Sequence, residues 1–179
     1  MLKITIPAFE LYDQEKSEFI ACKTTELSLE HSLVSLSKWE SKWHKPYLSR
    51  DSRTREEIVD YIRCMTLTQN VDPRVFEGLT EKNLQDVTEY IKDPMTATWF
   101  TEEEGKGPSR KVITSEVIYG WMVGLSIPFE CQKWHLNRLL TLVRVCSENN
   151  KDPKKMGKAG TMAQNHALNK SRKAARRKR

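Results

Sequence analysis

The sequence predicts a mainly helical α+β fold, with a helical bundle core, a small N-terminal antiparallel β element and a basic C-terminal tail. Three observations predict it. Alternation of apolar and polar residues, the period of a strand, is confined to the chain before Ser32. After Ser32 the apolar residues recur at helical spacing. Beyond Pro153 lysine and arginine dominate. We therefore predict a core domain at residues 1–150 and a flexible tail at residues 151–179.

The N-terminal β element is predicted from three alternating stretches, Leu2–Ile6, residues 17–22 and residues 25–31. Pro7 ends the first stretch, because proline lacks the N–H that a strand ladder needs. Residues 13–16 are polar and are expected to form a connecting turn. We expect three strands in a meander that covers one face of the helical body.

The first helix is predicted to begin at Ser32 and to end before Pro46. Its apolar face consists of Leu33, Leu36, Trp39 and Trp43. Thr54 and Thr80 are typical N-cap residues and are expected to open two further helices. A short helical turn is expected to start at Asp72.

Two strongly apolar helices are predicted near the end of the core domain, at residues 113–127 and at residues 129–146, with Pro128 between them. Their apolar content indicates the centre of the fold. Residues 96–110 lack periodicity and contain glycine, proline and a run of three glutamates, so an exposed loop is expected there.

The charge of the chain is divided unevenly between these two parts. The whole sequence has a net charge of +6, yet residues 151–179 hold eleven Lys/Arg and one acid, so residues 1–150 are net acidic. The candidate partner-binding residues are the last cations, Lys170, Arg172, Lys173, Arg176, Arg177, Lys178 and Arg179. Such a run can bind nucleic-acid phosphates, dock on an acidic protein or improve solubility.

Composition also argues against several classes of protein. No run of eighteen apolar residues exists, so no membrane-spanning helix is predicted, and no secretory signal is recognised. The four cysteines include no C-x-x-C pair and are expected to be reduced thiols. We find no phosphate-binding loop, dinucleotide fingerprint or nucleophile motif, so we expect no enzyme, no catalytic residue and no cofactor.

Two candidate sites compete with ordinary core packing as interpretations of the sequence. Cys131 and His135 lie four residues apart and, on one helix, could face one metal ion, but the tight ligand pairs of structural zinc sites are absent, so no metal site is predicted. Residues 39–47 alternate aromatic and basic side chains, as in grips on single-stranded nucleic acid. Because Trp39 and Trp43 share a face with Leu36, burial is the favoured interpretation.

The strongest resemblance of this chain to known proteins rests on two segments and the basic end. The segments are residues 127–140 (IPFECQKWHLNRLL) and residues 32–43 (SLVSLSKWESKW). The chain resembles a family of small proteins of tailed bacteriophages, and the resemblance spans most of the chain. That family implies a tail assembly chaperone, a non-enzymatic protein that holds the long, apolar, helical tape measure protein and self-associates along it. Such binding would draw on apolar helix residues, namely Trp121, Met122, Trp134, Leu139 and Leu142.

The resemblance implies a location in the cytoplasm of the infected bacterial host, and a tape measure or other tail protein as partner. Two alternatives stay open. A nucleic-acid-binding virion protein would use the basic tail as an electrostatic arm, and its affinity would fall steeply with salt. A head–tail connector subunit would instead form a ring of fixed stoichiometry.

Overall fold

A computed structural model describes residues 1–13, 17–49, 51–100 and 112–150. Met1–Arg144 forms one compact unit, and a second unit begins at Val145. The predicted basic tail, residues 151–179, and much of the predicted loop at residues 96–110 lie outside the described residues. The described part is an α+β fold in which helices predominate over a small antiparallel β element, as the sequence predicts.

Four strands form the N-terminal β element, and the prediction of a three-stranded meander is wrong. Strand β1 (Leu2–Ile6) pairs with β4 (Thr25–Leu29), and β2 (Phe9–Asp13) pairs with β3 (Glu18–Cys22), so that the first strand meets the last. Pro7 does end β1, but the chain resumes an extended course at Phe9. The result is one long hairpin interrupted near its middle.

The β1–β4 ribbon contributes one face to the core. Ile4 lies opposite Leu27, and both side chains are buried, as are those of Ile6 and Leu29. The residues between them point outward, because side chains alternate across a strand. The alternation that predicted these strands therefore reflects one buried and one exposed face.

Five α-helices lie within the described residues. They are α1 (Leu33–Trp43), α2 (Arg55–Met65), α3 (Glu81–Lys92), α4 (Ser115–Gly124) and α5 (Leu136–Asn149). Two short 3-10 helices, Pro73–Gly78 and Phe129–Lys133, precede α3 and α5. None of these helices combines the length and apolar character needed to cross a membrane.

Three helices begin at a capping box. The N-cap residues are Ser32, Thr54 and Thr80. The hydroxyl of each accepts a hydrogen bond from the backbone N–H of the residue three positions later, and the side chain of that later residue accepts the backbone N–H of the N-cap residue. These reciprocal bonds satisfy N–H groups that a helix start otherwise leaves free. The predicted starts at these residues are confirmed.

The buried face of α1 anchors the core. Leu33 and Leu36 are fully buried, and Trp39 is 1% exposed with its indole N–H donating to the carbonyl oxygen of Glu57 at 3.0 Å. Trp43, on the same face, is only partly buried. The predicted burial of the α1 face is confirmed for the first three residues.

The predicted single helix over residues 129–146 is wrong. The Phe129–Lys133 turn ends at Trp134, whose backbone is extended, and α5 begins only at Leu136. The interruption has a long-range cause: the N–H of Leu136 donates to the carbonyl oxygen of His31 at 2.7 Å, and His135 forms a β-bridge with Ser32. A continuous helix could not make these contacts.

A glycine-to-alanine substitution at Gly78 will loosen the hairpin. A Cβ at this position would overlap the ring of Phe9, which packs directly against the glycine backbone. We expect Gly78→Ala to lower the free energy of unfolding by about 1–3 kcal/mol, the usual cost of overpacking. Urea denaturation measures it. The double variant with Phe9→Ala should lose less than the sum of the two single changes, and strict additivity would contradict this contact.

Candidate protein-binding surface

Helix α4 is apolar on nearly all sides, yet only one side of it faces the core. Ser115, Ile118 and Met122 are buried. Val117, Trp121 and Val123 are exposed, Val123 by 63%. A helix that is apolar all round is normally buried on all sides. The outward side of α4 is therefore an apolar surface that the described part of the chain leaves uncovered.

The outward side of α4 has two ridges and a groove. Val117 and Trp121 form one ridge, and Tyr119 and Val123 form the other, because residues four apart stack along a helix face. Gly120 and Gly124 lie between them, and a Cβ at either glycine would meet no atom within 4 Å. Ridges and grooves of this kind are what a second helix packs against.

The Phe129–Lys133 turn extends this surface. The phenol of Tyr119 donates a hydrogen bond to Oε1 of Gln132 at 2.8 Å, and the rings of Tyr119 and Phe129 lie 6.3 Å apart. Phe129 is 52% exposed. We name the set Val117, Tyr119, Gly120, Trp121, Val123, Gly124 and Phe129 the α4 surface.

A buried carboxylate holds α4 in this position. Oε1 of Glu40 accepts the N–H of Tyr47 at 2.9 Å, and Oε2 accepts the N–H of Ser115, the first residue of α4, at 2.7 Å. The negative charge also suits the positive end of the α4 dipole. Glu40 thus joins α1, the following turn and α4. Sequence reasoning missed it, because a lone glutamate in a helix carries no signal of burial.

The structure divides the five apolar residues that the resemblance offered for partner binding. Met122 and Leu139 are fully buried core residues and cannot contact a partner. Leu142 is partly buried. Trp121 and Trp134 are both 36% exposed, and Trp134 stacks against the guanidinium of Arg138 at 4.4 Å. Of these five, only the two tryptophans retain a substantially accessible side chain.

The aromatic and basic stretch at residues 39–47 is used within the fold. Lys42 pairs with Asp60, and Nζ of Lys45 lies 2.6 Å from Oε1 of Glu57. The indole N–H of Trp43 also donates to Asp60 at 2.8 Å. These lysines therefore neutralise carboxylates of α2, which weakens the case for a nucleic-acid grip here.

The pKa values of the two carboxylates agree with this assignment. The hydrogen bond from Lys45 is the main cause of the lowered pKa of Glu57. Burial alone would raise the pKa of Asp60, but hydrogen bonds from Lys42 and Trp43 lower it overall. Both carboxylates therefore stay ionised and paired at neutral pH.

A pair of histidines lies in the core. Nδ1 of His31 is 2.6 Å from the Tyr61 hydroxyl, and the His31 and His135 rings are 5.2 Å apart. Burial is the main cause that lowers the pKa of His31 to about 3, with a smaller contribution from His135. Both side chains are almost inaccessible to solvent. We therefore interpret the two histidines as core packing residues rather than as acid–base groups.

The other predicted sites have separate outcomes. Cys131 and His135 do not share a helix, and the described residues contain no group of three or more His, Cys, Asp or Glu placed to hold a metal ion. The seven tail cations from Lys170 to Arg179 lie outside the described residues.

No protein-family model matches this chain, and comparison with curated proteins and with solved structures gave no match either.

Proposed function

We propose that this chain is a non-enzymatic assembly chaperone that binds an apolar helix of a partner protein through the α4 surface. The partner is the tape measure protein of a tailed bacteriophage, and assembly takes place in the cytoplasm of the infected host. The observation that carries the proposal is the uncovered outward side of α4. The helices act as a bundle that presents this side, and the cations of residues 151–179 serve as an accessory arm.

The composition of the α4 surface supports a protein partner. Aromatic side chains dominate binding energy at protein interfaces, and this surface contributes Tyr119, Trp121 and Phe129. Apart from Glu116 at its start, α4 carries no charged residue. Glu116 lies one turn before Gly120, at one end of the groove, so a partner helix that packs beyond it can bury its own apolar side chains without desolvating a charge of α4.

The shape of the α4 surface supports a helical partner in particular. The glycine groove between two ridges admits side chains of a crossing helix, and interdigitated rows of this type cross at about −50°. A tape measure protein is long, helical and apolar in the family that the sequence resembles. It would present many equivalent sites, and several copies of this chain would bind along it.

Two charge substitutions test the proposal. We expect Val123→Glu and Phe129→Glu each to weaken binding of the tape measure protein at least ~30-fold, since loss of an interface hot spot costs about 2 kcal/mol or more. Both side chains are more than half exposed, so the fold should tolerate the change. Titration of purified partner onto immobilised chain gives the affinity.

The matched control is Leu67→Glu. Leu67 is 55% exposed and lies in the segment that follows α2. This variant adds the same charge elsewhere and should bind as the unsubstituted chain does. If Val123→Glu and Phe129→Glu bind with full affinity while their circular dichroism is unchanged, the α4 surface is not the binding site.

A further inference from the structure

A second candidate surface lies at the edge of the β element, away from any role proposed for α4. The segment after α2 runs antiparallel to β4 and covers its outer edge. Leu67 donates its N–H to the carbonyl oxygen of Ser28 at 2.8 Å, and Glu30 donates to the carbonyl oxygen of Met65 at 2.9 Å. Leu29 and Thr66 form the accompanying bridge.

The segment after α2 covers the edge of β4 but does not pair with β3. The N–H of Ser28 donates to the hydroxyl of Thr68 at 2.9 Å, and the chain then turns at Asn70, which has a positive φ of 56°. Within the described residues, β3 pairs with β2 alone. Alternate residues of β3 therefore direct their N–H and carbonyl groups away from β2, toward an open edge.

A groove of about 360 Å³ follows this open edge. Its lining includes Ile20, Ala21 and Cys22 of β3, together with Val71 and Val75 from the chain after Asn70. Three charged residues also line the groove: Asp72 and Arg74 pair with each other, and Lys23 makes no ion pair among the described residues. The groove thus combines strand backbone, apolar and polar side chains, and one cation, Lys23, that makes no ion pair among the described residues.

The outward face of the same ribbon is also apolar. Tyr12 and Phe19 lie opposite each other, with ring centroids 5.1 Å apart, and Phe19 is 71% exposed. A further strand beside β3 would place a side chain next to Phe19, and such cross-strand pairs with aromatic rings stabilise sheets. A two-stranded ribbon is only marginally stable by itself.

From these features we infer that β3 binds an extended segment of a partner protein, which adds a third strand to the β2–β3 ribbon. The segment is apolar on alternate residues and carries an acidic residue that pairs with Lys23.

The test is a selection of random eight-residue peptides against the folded full-length chain. We expect the selected peptides to alternate β-branched or aromatic residues with polar ones and to share one acidic position. Hydrogen exchange with the tightest peptide should slow outward-facing amides of β3 at least ~10-fold. The variant Lys23→Glu should select a basic residue at the shared position, because the charge complement is reversed.

The control is Lys82→Glu, which reverses an exposed charge on α3 and should leave the selected acidic position unchanged. Protection confined to α4, selection of no peptide, or the same acidic preference with Lys23→Glu would each overturn the inference. A failure of this test leaves the α4 proposal untouched, since the two surfaces have different residues and different partners.

Discussion

Acidification from about pH 6.5 to about pH 4.5 will cost this fold about 2 kcal/mol through His31 alone. The folded chain holds the pKa of His31 near 3, whereas an unfolded histidine titrates near 6.5. Below pH 6.5 His31 therefore binds a proton in the unfolded chain but stays neutral in the folded chain. The stabilisation is complete above pH 6.5 and is lost as the pH falls toward 3. The pKa of His135 is lowered too, first by burial, so it adds to the loss.

The hydrogen bonds of His135 give a geometric reason for this behaviour. Its Nδ1 accepts the N–H of Asn137 at 3.3 Å, so the ring proton lies on Nε2, which donates to the carbonyl oxygen of Tyr90 at 3.0 Å. A second proton, on Nδ1, would point at the N–H of Asn137, which is itself a donor, so this hydrogen bond would be lost. With His31 also protonated, two like charges would lie 5.2 Å apart in the core.

Urea denaturation at several pH values between 6.5 and 4.5 measures the effect. His31→Gln should unfold more easily at pH 7 and should show a clearly shallower pH dependence. His44→Gln, at an exposed histidine, should keep the full slope. Glu57 and Asp60 affect a lower range, because their unfolded pKa values are near 4.5 and 3.8. A stability that is flat across this window would contradict the neutral histidine pair.

The second large effect is expected at Glu40. We predict that Glu40→Ala lowers the free energy of unfolding by about 4 kcal/mol, because two charge-assisted hydrogen bonds are lost and two backbone N–H groups lose their acceptor. Glu40→Gln keeps one carbonyl acceptor but turns its amide toward the other N–H. It should therefore cost about 2 kcal/mol, roughly half as much.

Urea denaturation at pH 7 compares the two variants with Glu10→Gln, an exposed position on β2. The control should change stability by less than about 0.5 kcal/mol. Hydrogen exchange should show that the start of α4 loses protection in Glu40→Ala before α2 does. Equal stability of Glu40→Ala and the unsubstituted chain would show that the carboxylate does not hold α4 in place.

Local signals in the sequence predicted local structure well. The starts of α1, α2 and α3 are readable because a capping box needs only four consecutive residues, as at Thr54 and Glu57. The buried face of α1 follows from its period. The proline that ends β1 is equally visible in the sequence.

Features that depend on distant partners were missed. The extended backbone at Trp134 exists because Leu136 bonds to the carbonyl of His31, far away in sequence. The pairing of β1 with β4 likewise depends on the whole hairpin, since five strand residues suit several partners equally well. Each contact joins backbone groups, whose pairing leaves no mark in side-chain composition.

The candidate site was predictable only in part. The apolar content of α4 is evident in the sequence and suggested the centre of the fold. Because nearly every residue of α4 is apolar, its sequence cannot show which side turns outward. Met122 and Val123 are adjacent and equally apolar, yet one is fully buried and the other is 63% exposed. Coordinates were needed to separate core from surface.

The central claim is that an apolar surface on α4 binds a tape measure protein. Affinity capture from phage-infected bacteria, with washes of increasing salt concentration, tests it most directly. The tagged proteins are the full chain, a form lacking residues 170–179, and Val123→Glu. The account predicts that the first two retain the tape measure protein through high-salt washes and that Val123→Glu does not. Recovery of nucleic acid alone, removed by salt or by deletion of residues 170–179, would contradict it and assign the function to the basic tail.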